Sequence, residues 1–431
     1  MDAFGASWDS VGVTFEADTG ASAVVTAAGQ RALVITADDR SGALEAAAEC
    51  ADRGLLATVL PGLGADAADA ALGCCTVVDI DSRHLDPASA ADRMRRVIDS
   101  HHVVAHKIDS TLRGNWDAEI GAIAGAGRRV LVIPAHPLAG RVCRDGTVFV
   151  DGVPVSESTY AGDGRSDVTT SRPASRLAGS VELAGAHDVI RWLAARPANQ
   201  PIAVVDAATV ADIEAVVDAW CTPSPESAGR AAGVVVCGPA VVIGIAAGRL
   251  QGGAEPAGAL SSCALSSSSA SVRAPVLVIV GSLHPASRAQ LAALRRCGVP
   301  VVGPGDAAGL RGLAGFPVAV IASDPSGESA CTAARVAADM GVAAAIGEAA
   351  RTVVGHGWFA TVMVVGGETA AAFIGDAAVR VHGSPAPGIA AGSASIGGRR
   401  IEIVTKPGGF GDPQSLVRLL GALLPHGEVG S

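Results

Sequence analysis

The chain has 431 residues, 49% hydrophobic and 17% charged, with a formal net charge of −10 at pH 7. That composition excludes a disordered chain and is enough for two domains of ordinary size. The acidic balance argues against a nucleic-acid partner, since such proteins present basic surfaces that displace counterions. A small-molecule substrate is the better expectation.

Residues 1–30 show weak periodicity and are read as an N-terminal extension. They lack the basic and apolar regions of a signal peptide, and no apolar run reaches the ~18 residues of a membrane helix. The nine cysteines show no zinc-site spacing and read as reduced core thiols, so a cytoplasmic protein without membrane association is expected.

A first α/β domain is expected over 31–250. The run ALVITADD reads as a strand ending at Asp38 and Asp39, with Ser41-Gly42 opening a helix that closes before Gly54. Paired carboxylates at a strand end can bind hydroxyls, hold a metal or take a proton; equally, one of them caps the helix. CCTVVDIDSR leaves Asp81, Ser82 and Arg83 at the next strand end. Alone that is an ordinary turn, but beside Asp38 and Asp39 it supplies a guanidinium fork suited to a carboxylate.

In HVVAHKIDS the strand alternation puts Lys107 and Asp109 on one face, and Ser110 and Thr111 turn towards a helix whose N–H groups favour anions. Lys107 and Lys406 are the only lysines beside 30 arginines. A compact ammonium with rotatable donors suits several oxygens in a crowded pocket. Arg113 either joins this site or pairs with Glu119. RVLVIPAHP and IAVVDAAT continue a series that predicts parallel strands with crossover helices, a fold that binds ligands at the strands' carboxyl ends.

Residues 251–273 form a Gly/Ser-rich stretch read as a linker or loop. The pattern restarts over 274–431, giving a second α/β domain, so the fold expected is two α/β domains, each with a mainly parallel sheet flanked by helices. Three glycine turns follow its strands, GSLHPASRAQ, GGETAAAF and KPGGFGDP, the last containing Lys406. Such turns bring backbone N–H groups close to phosphates. No GxxxxGK[ST] P-loop is present, and no GxGxxG dinucleotide fingerprint. His106, His136 and His284 lie near these segments, as hydrogen-bonding groups or as bases.

In this order, ADDRSGA, DSR, KIDSTLRGN, PAHPLAGRVCRDG, GGETA and KPGGFGD resemble the four-carbon acid sugar kinase family, across about residues 31 to 420. The resemblance implies transfer of a phosphoryl group from ATP to the terminal hydroxyl of threonate, erythronate or 3-oxo-tetronate. It implies substrate contacts at Asp38, Asp39, Arg83, Lys107, Ile108, Asp109, Ser110 and Arg113. Nucleotide contacts are implied at Ser282, Gly366, Gly367, Glu368, Thr369, Gly408, Gly409 and Gly411. On this reading Arg83 and Lys107 bind the substrate carboxylate and hydroxyls, Asp39 or Asp109 acts on the attacking hydroxyl, and Mg²⁺ bridges the phosphates without a dedicated protein cage. Closure of the two domains would align the ligands. The chain departs from the family pattern at Arg40-Ser41, at Glu368 and over 161–172. The rival expectations are a non-catalytic sensor of acid or nucleotide and a kinase of another small polyhydroxy acid. Association into a homo-oligomer stays open.

Overall fold

The computed structural model describes residues 33–62, 75–161, 168–222, 233–251, 273–325 and 333–423. The extension expected over 1–30 lies outside the described residues, as does nearly all of the linker expected over 251–273.

The chain begins with β1 (Leu33–Ala37), α1 (Arg40–Ala51), β2 (Ala57–Pro61), β3 (Cys75–Asp79), α2 (Pro87–Ser100), β4 (Val103–Lys107), α3 (Trp116–Gly125) and β5 (Arg129–Val132). A small antiparallel sheet follows, made of β6 (Arg141–Arg144), β7 (Thr147–Val150) and β8 (Val153–Pro154). The first half ends with β9 (Ser180–Leu183), α4 (Ala186–Ala195), β10 (Ile202–Val205), α5 (Val210–Cys221), β11 (Val234–Gly238) and α6 (Ala240–Leu250). The second half opens with β12 (Val276–Val280), α7 (Pro285–Arg296), β13 (Val301–Val302), α8 (Ala307–Gly312), β14 (Val318–Ala322) and α9 (Ala333–Gly355). It continues through β15 (Thr361–Val365), α10 (Gly367–Ile374), β16 (Val379–Ala386), β17 (Ile389–Ile396), β18 (Arg399–Lys406) and α11 (Ser415–Leu423).

Central strands such as β1, β3, β4, β12 and β15 are Val-, Ile- and Ala-rich runs buried along nearly their whole length, as parallel strands covered on both faces must be. Helix starts follow local chemistry. Asp39 caps α1 through the Gly42 N–H at 2.8 Å, Asp86 caps α2 ahead of Pro87, and Thr209 with Asp212 forms a capping box on α5.

The α/β architecture is as expected, but the halves do not carry separate sheets. Fifteen strands form one sheet in the order β13-β14-β12-β15-β18-β17-β16-β2-β3-β1-β4-β11-β5-β10-β9. Its two flanks are parallel, and the antiparallel strands β16 and β17 join them, with β16 pairing β2 through Val379–Val59, Arg380–Thr58 and Val381–Ala57. One hydrophobic core also runs through both halves, from Ile35 and Leu44 to Ile279 and Phe373.

This topology fixes where ligands can sit. β1 lies between β3 and β4, so the chain leaves β1 towards one side, returns through β3 and crosses to the other. β12 lies between β14 and β15 in the same way. Each arrangement is a topological switch point, where a crevice opens beyond the carboxyl ends of the strands.

Candidate active site

Beyond the ends of β1, β3 and β4 the chain brings together Asp38, Asp39, Arg83, Lys107, Asp109 and Arg113. Arg83 donates from Nε to Asp38 Oδ2 at 2.7 Å and from Nη1 to Asp39 Oδ2 at 2.8 Å, and Nη2 stands 3.7 Å from Asp109 Oδ1. Arg113 grips both oxygens of Asp109 with two bonds of 3.0 Å. Arg113 therefore joins this charged cluster and does not pair with Glu119. Glu119 is fully buried, and its carboxylate accepts from Ser82 and meets His106 Nε2 at 3.0 Å.

Position and charge decide what each carboxyl can do. Burial pushes the Asp38 carboxyl up, only partly offset by Arg83, and its Oδ1 is buried without a hydrogen-bond partner. For Asp39 burial acts in the same direction, but Arg83 and Lys107, with bonds from Ser41 and Gly42, hold it below the usual carboxylate range. Burial is outweighed further at Asp109, where Arg113, Arg83 and Lys107 hold the carboxyl well below that range. Neighbouring carboxyls driven apart in this way are a common feature of catalytic sites.

Lys107, 4% exposed, lies against α1: a methyl group on Gly42 would stand 2.6 Å from its Nζ and 2.6 Å from Asp39 Oδ1. Among the described residues nothing accepts a hydrogen bond from this ammonium, although Asp39 and Asp109 both feel its charge. Its donors therefore point into a polar crevice. Ser110 is partly exposed on the turn beyond. Ile108 is different, because its side chain is buried in the core and only its backbone faces the neighbouring strand end, donating to the Gly238 carbonyl at 3.1 Å.

The turn after Lys107 does not run straight into a helix. Leu112 and Gly114 adopt left-handed backbone, with φ of 60° and 85°, and α3 starts only at Trp116. Asn115 locks the detour by donating to the carbonyls of Ser82 and Leu85 at 2.9 and 2.8 Å. Beneath the site, Thr36 Oγ1 meets His106 Nδ1 at 2.9 Å, completing a buried row of Thr36, His106, Glu119 and Ser82. His106 is thus fully engaged below the crevice.

The glycine turns of the second half close over the same crevice. Ser282 follows β12, and Gly408 packs against its side chain so tightly that a Cβ there would overlap Oγ. Ser287 donates to the Gly408 carbonyl at 2.6 Å, and Gln290 holds the Phe410 and Asp412 carbonyls at 2.9 and 3.0 Å. Gly366, with φ of 112°, lies between Ser282 and Thr369. A Cβ on Gly367 would stand 2.9 Å from Ser41 Oγ and 3.3 Å from Asp39 Oδ2. Gly409 faces the His284 ring, and Gly411 packs on Ser415. His284 caps α7, its Nδ1 accepting from the Ala286 N–H at 3.2 Å. Glu368 reaches back to within 3.5 Å of His84 Nε2. Lys406 is 3% exposed, and burial lowers its ammonium to about 8. It lines a cleft between the halves with Ser41, Glu45, Gly366 and Thr405.

Some important residues carry no obvious signal in sequence. Arg40, which departs from the family pattern, is buried and turned away from the crevice, bonding Asp79 at 2.8 Å and the Gly375 carbonyl at 3.1 Å, so it clips the halves together. Arg141, His136 and Tyr160 also border the site.

Carboxylates and cations facing glycine turns across one sheet suit a small-molecule phosphotransferase. Residues 33–244 match a sugar-binding N-terminal domain and 307–416 a nucleotide-binding C-terminal domain. The chain is 32% identical over 422 residues to a D-threonate kinase of Bordetella bronchiseptica, covering 90% of this chain and 96% of that protein. A D-threonate kinase of Cupriavidus necator is 37% identical over 129 residues, 29% of this chain and 31% of that protein. A D-erythronate kinase of Heliobacterium modesticaldum is 30% identical over 162 residues, 32% of this chain and 36% of that protein. The chain belongs to the four-carbon acid sugar kinase family. Solved proteins of Salmonella typhimurium and Haemophilus influenzae share the fold, with TM-scores of 0.66 and 0.63 at 16% and 18% identity, covering 90% and 91% of this chain and 98% and 100% of theirs.

Proposed function

We propose that the protein phosphorylates the terminal hydroxyl of D-threonate, D-erythronate or a related four-carbon acid with ATP, in the cytoplasm, as a step of carbohydrate metabolism. The first half would take the acid and the second the nucleotide. The observation that carries this reading is the contact of the Gly366–Gly367 turn with Asp39 and Ser41. A triphosphate laid on that turn ends beside the carboxylates that would receive the hydroxyl.

On this reading the Lys107 ammonium donates to the substrate's hydroxyls. Asp39 and Asp109 stay ionised and accept from the attacking hydroxyl, which orients it in line. A loose transition state for phosphoryl transfer asks little of a base and much of position and charge. Lys406 and the N–H groups of Gly367 to Thr369 and of Gly408, Gly409 and Gly411 would face the phosphates, the Gly366 N–H being held by the Lys406 carbonyl. Among the described residues no three His, Cys, Asp or Glu side chains form a metal cluster. The hard oxygens of Glu368, beside the glycine turn, and of Asp39, against Gly367, nevertheless fit a Mg²⁺ ion shared with the nucleotide. Bound there, the ion would neutralise phosphate charge.

The test is ADP release with ATP and a panel of D-threonate, D-erythronate, 3-oxo-tetronate and longer sugar acids. Acid-dependent ADP release on a four-carbon member is expected. Binding of the acids without ADP release would replace the reading with that of a sensor, and turnover confined to longer acids would move the substrate class.

A further inference from the structure

The segment PAHPLAGR forms a tight turn in which the His136 and Arg141 backbones bond to each other at 2.8 and 3.1 Å. Gly140 holds left-handed backbone there, φ 73°, packed against Asp151. The turn presents Arg141, which is only 7% exposed. We propose that Arg141, steadied by Tyr160, holds the carboxylate of the acid sugar and makes the enzyme require an acid rather than the matching neutral polyol. This assignment rests on the acid sugar kinase reading.

Arg83 is a poor anchor for an incoming carboxylate. It already bonds Asp38 and Asp39 at 2.7 and 2.8 Å, and only Nη2, 3.7 Å from Asp109 Oδ1, is without a hydrogen-bond partner. Arg141 has the opposite surroundings. Among the described residues no carboxylate comes within ion-pair distance of it. Its side chain donates to the Ala139 carbonyl and, at 2.9 Å, to the Tyr160 hydroxyl, and its Nε is buried with no partner. A buried guanidinium with only neutral acceptors has lost water without gaining a counter-charge, and a ligand carboxylate supplies one with matching geometry.

The position also fits. Arg141 and Lys107 both bear on the His136 imidazole, which burial and these two cations lower to about 4, so the neutral ring lies in the field of both. Tyr160, the only tyrosine of the chain, has its ring 5.4 Å from the Arg141 guanidinium and 5.8 Å from that of Arg113, which grips Asp109. Phe410 of the last glycine turn lies 5.7 Å from the Arg141 guanidinium and shields it from water.

The experiment compares wild type, Arg141→Met, Arg141→Lys and Tyr160→Phe in the full chain. D-threonate, D-erythronate and the neutral tetritols threitol and erythritol are acceptors, and ATP-induced thermal shift checks the fold. In Arg141→Met the KM for the acids rises on the order of 100-fold, while KM for ATP and the rate with the tetritols stay within about twofold. Arg141→Lys recovers part of the loss, and Tyr160→Phe raises the acid KM several-fold. Two results overturn the assignment: an acid preference that survives in Arg141→Met, or a kcat loss equal for acids and tetritols at unchanged acid KM, which would put Arg141 on the phosphoryl group. If Arg141→Met lacks the ATP shift, Tyr160→Phe decides, and an unmoved acid KM there refutes the proposal. Wild type inactive on every acid removes the kinase reading, and this assignment with it.

Discussion

Gly42→Ala separates the fold from the chemistry. The new methyl would stand 2.6 Å from Lys107 Nζ and 2.6 Å from Asp39 Oδ1, about 1 Å short of an ordinary contact near ~3.5 Å. Both atoms are the far ends of side chains, so they yield rather than the backbone. Alanine favours the helix by about 1 kcal/mol, and a loosened Asp39 cap costs a similar amount, so the melting temperature should barely move. The ammonium, however, is displaced by roughly 1 Å, a misplacement that commonly costs on the order of 100-fold in turnover. The assay is ADP release with D-threonate beside thermal unfolding with and without ATP. Full activity at unchanged KM would show that Lys107 does not work from its observed position. A drop of many degrees in melting temperature would refute the argument that only side-chain ends need move.

Asp109→Ala should lower turnover by on the order of 100-fold or more while ATP still stabilises the protein; equal activity would end the orienting role of Asp109. The Lys406 ammonium is lost as pH rises through about 8, so KM for ATP should climb up to about tenfold between pH 7 and 9 in wild type and stay flat in Lys406→Met. A flat wild-type profile would remove Lys406 from the nucleotide site. Arg40→Met breaks a buried pair and should cost about 3 kcal/mol near neutral pH, read by denaturant unfolding. Burial holds Asp79 at about 6, above its unfolded value of 3.8, and losing Arg40 raises it further. Below that range Asp79 is neutral and needs no cation, so the deficit should be smaller at pH 5 than at pH 8. Equal deficits would show that charge at Asp79 is not its source.

The strands that line both crevices were legible because β1, β3, β4, β12 and β15 are short runs rich in Val and other apolar residues, bounded by polar turns. β16 and β17 were not, since VRVHGSPA and IAAGSASI mix small and polar residues without a clear period-two pattern, and their bulges break the register further. The expectation of two sheets failed for that reason. Within the candidate site, the nearness of Asp39, Arg83 and Lys107 could be read from their places at strand ends, and Asp39 does cap α1, one of the two readings its sequence offered. Arg113 was placed between two options because sequence spacing cannot show that Glu119 turns under the sheet to His106. Arg141 lies in the PAHPLAGRVCRDG segment of the resemblance, but nothing in that segment marks it as a ligand group. Its interest lies in the carboxylate it lacks, and that is visible only in three dimensions.

The pairing of β16 with β2 is three residues long. At on the order of 1 kcal/mol for each backbone hydrogen bond, this seam is a small part of the molecule's cohesion, and it joins the halves alongside the shared core and the Arg40 contact with the Gly375 carbonyl. Its pairing is made by main chain, so substitutions of side chains along the seam can leave the ladder intact while a one-residue slip would turn every side chain of the strand to the other face. A short β-ladder thus makes one continuous sheet of two halves that would otherwise end in separate edges.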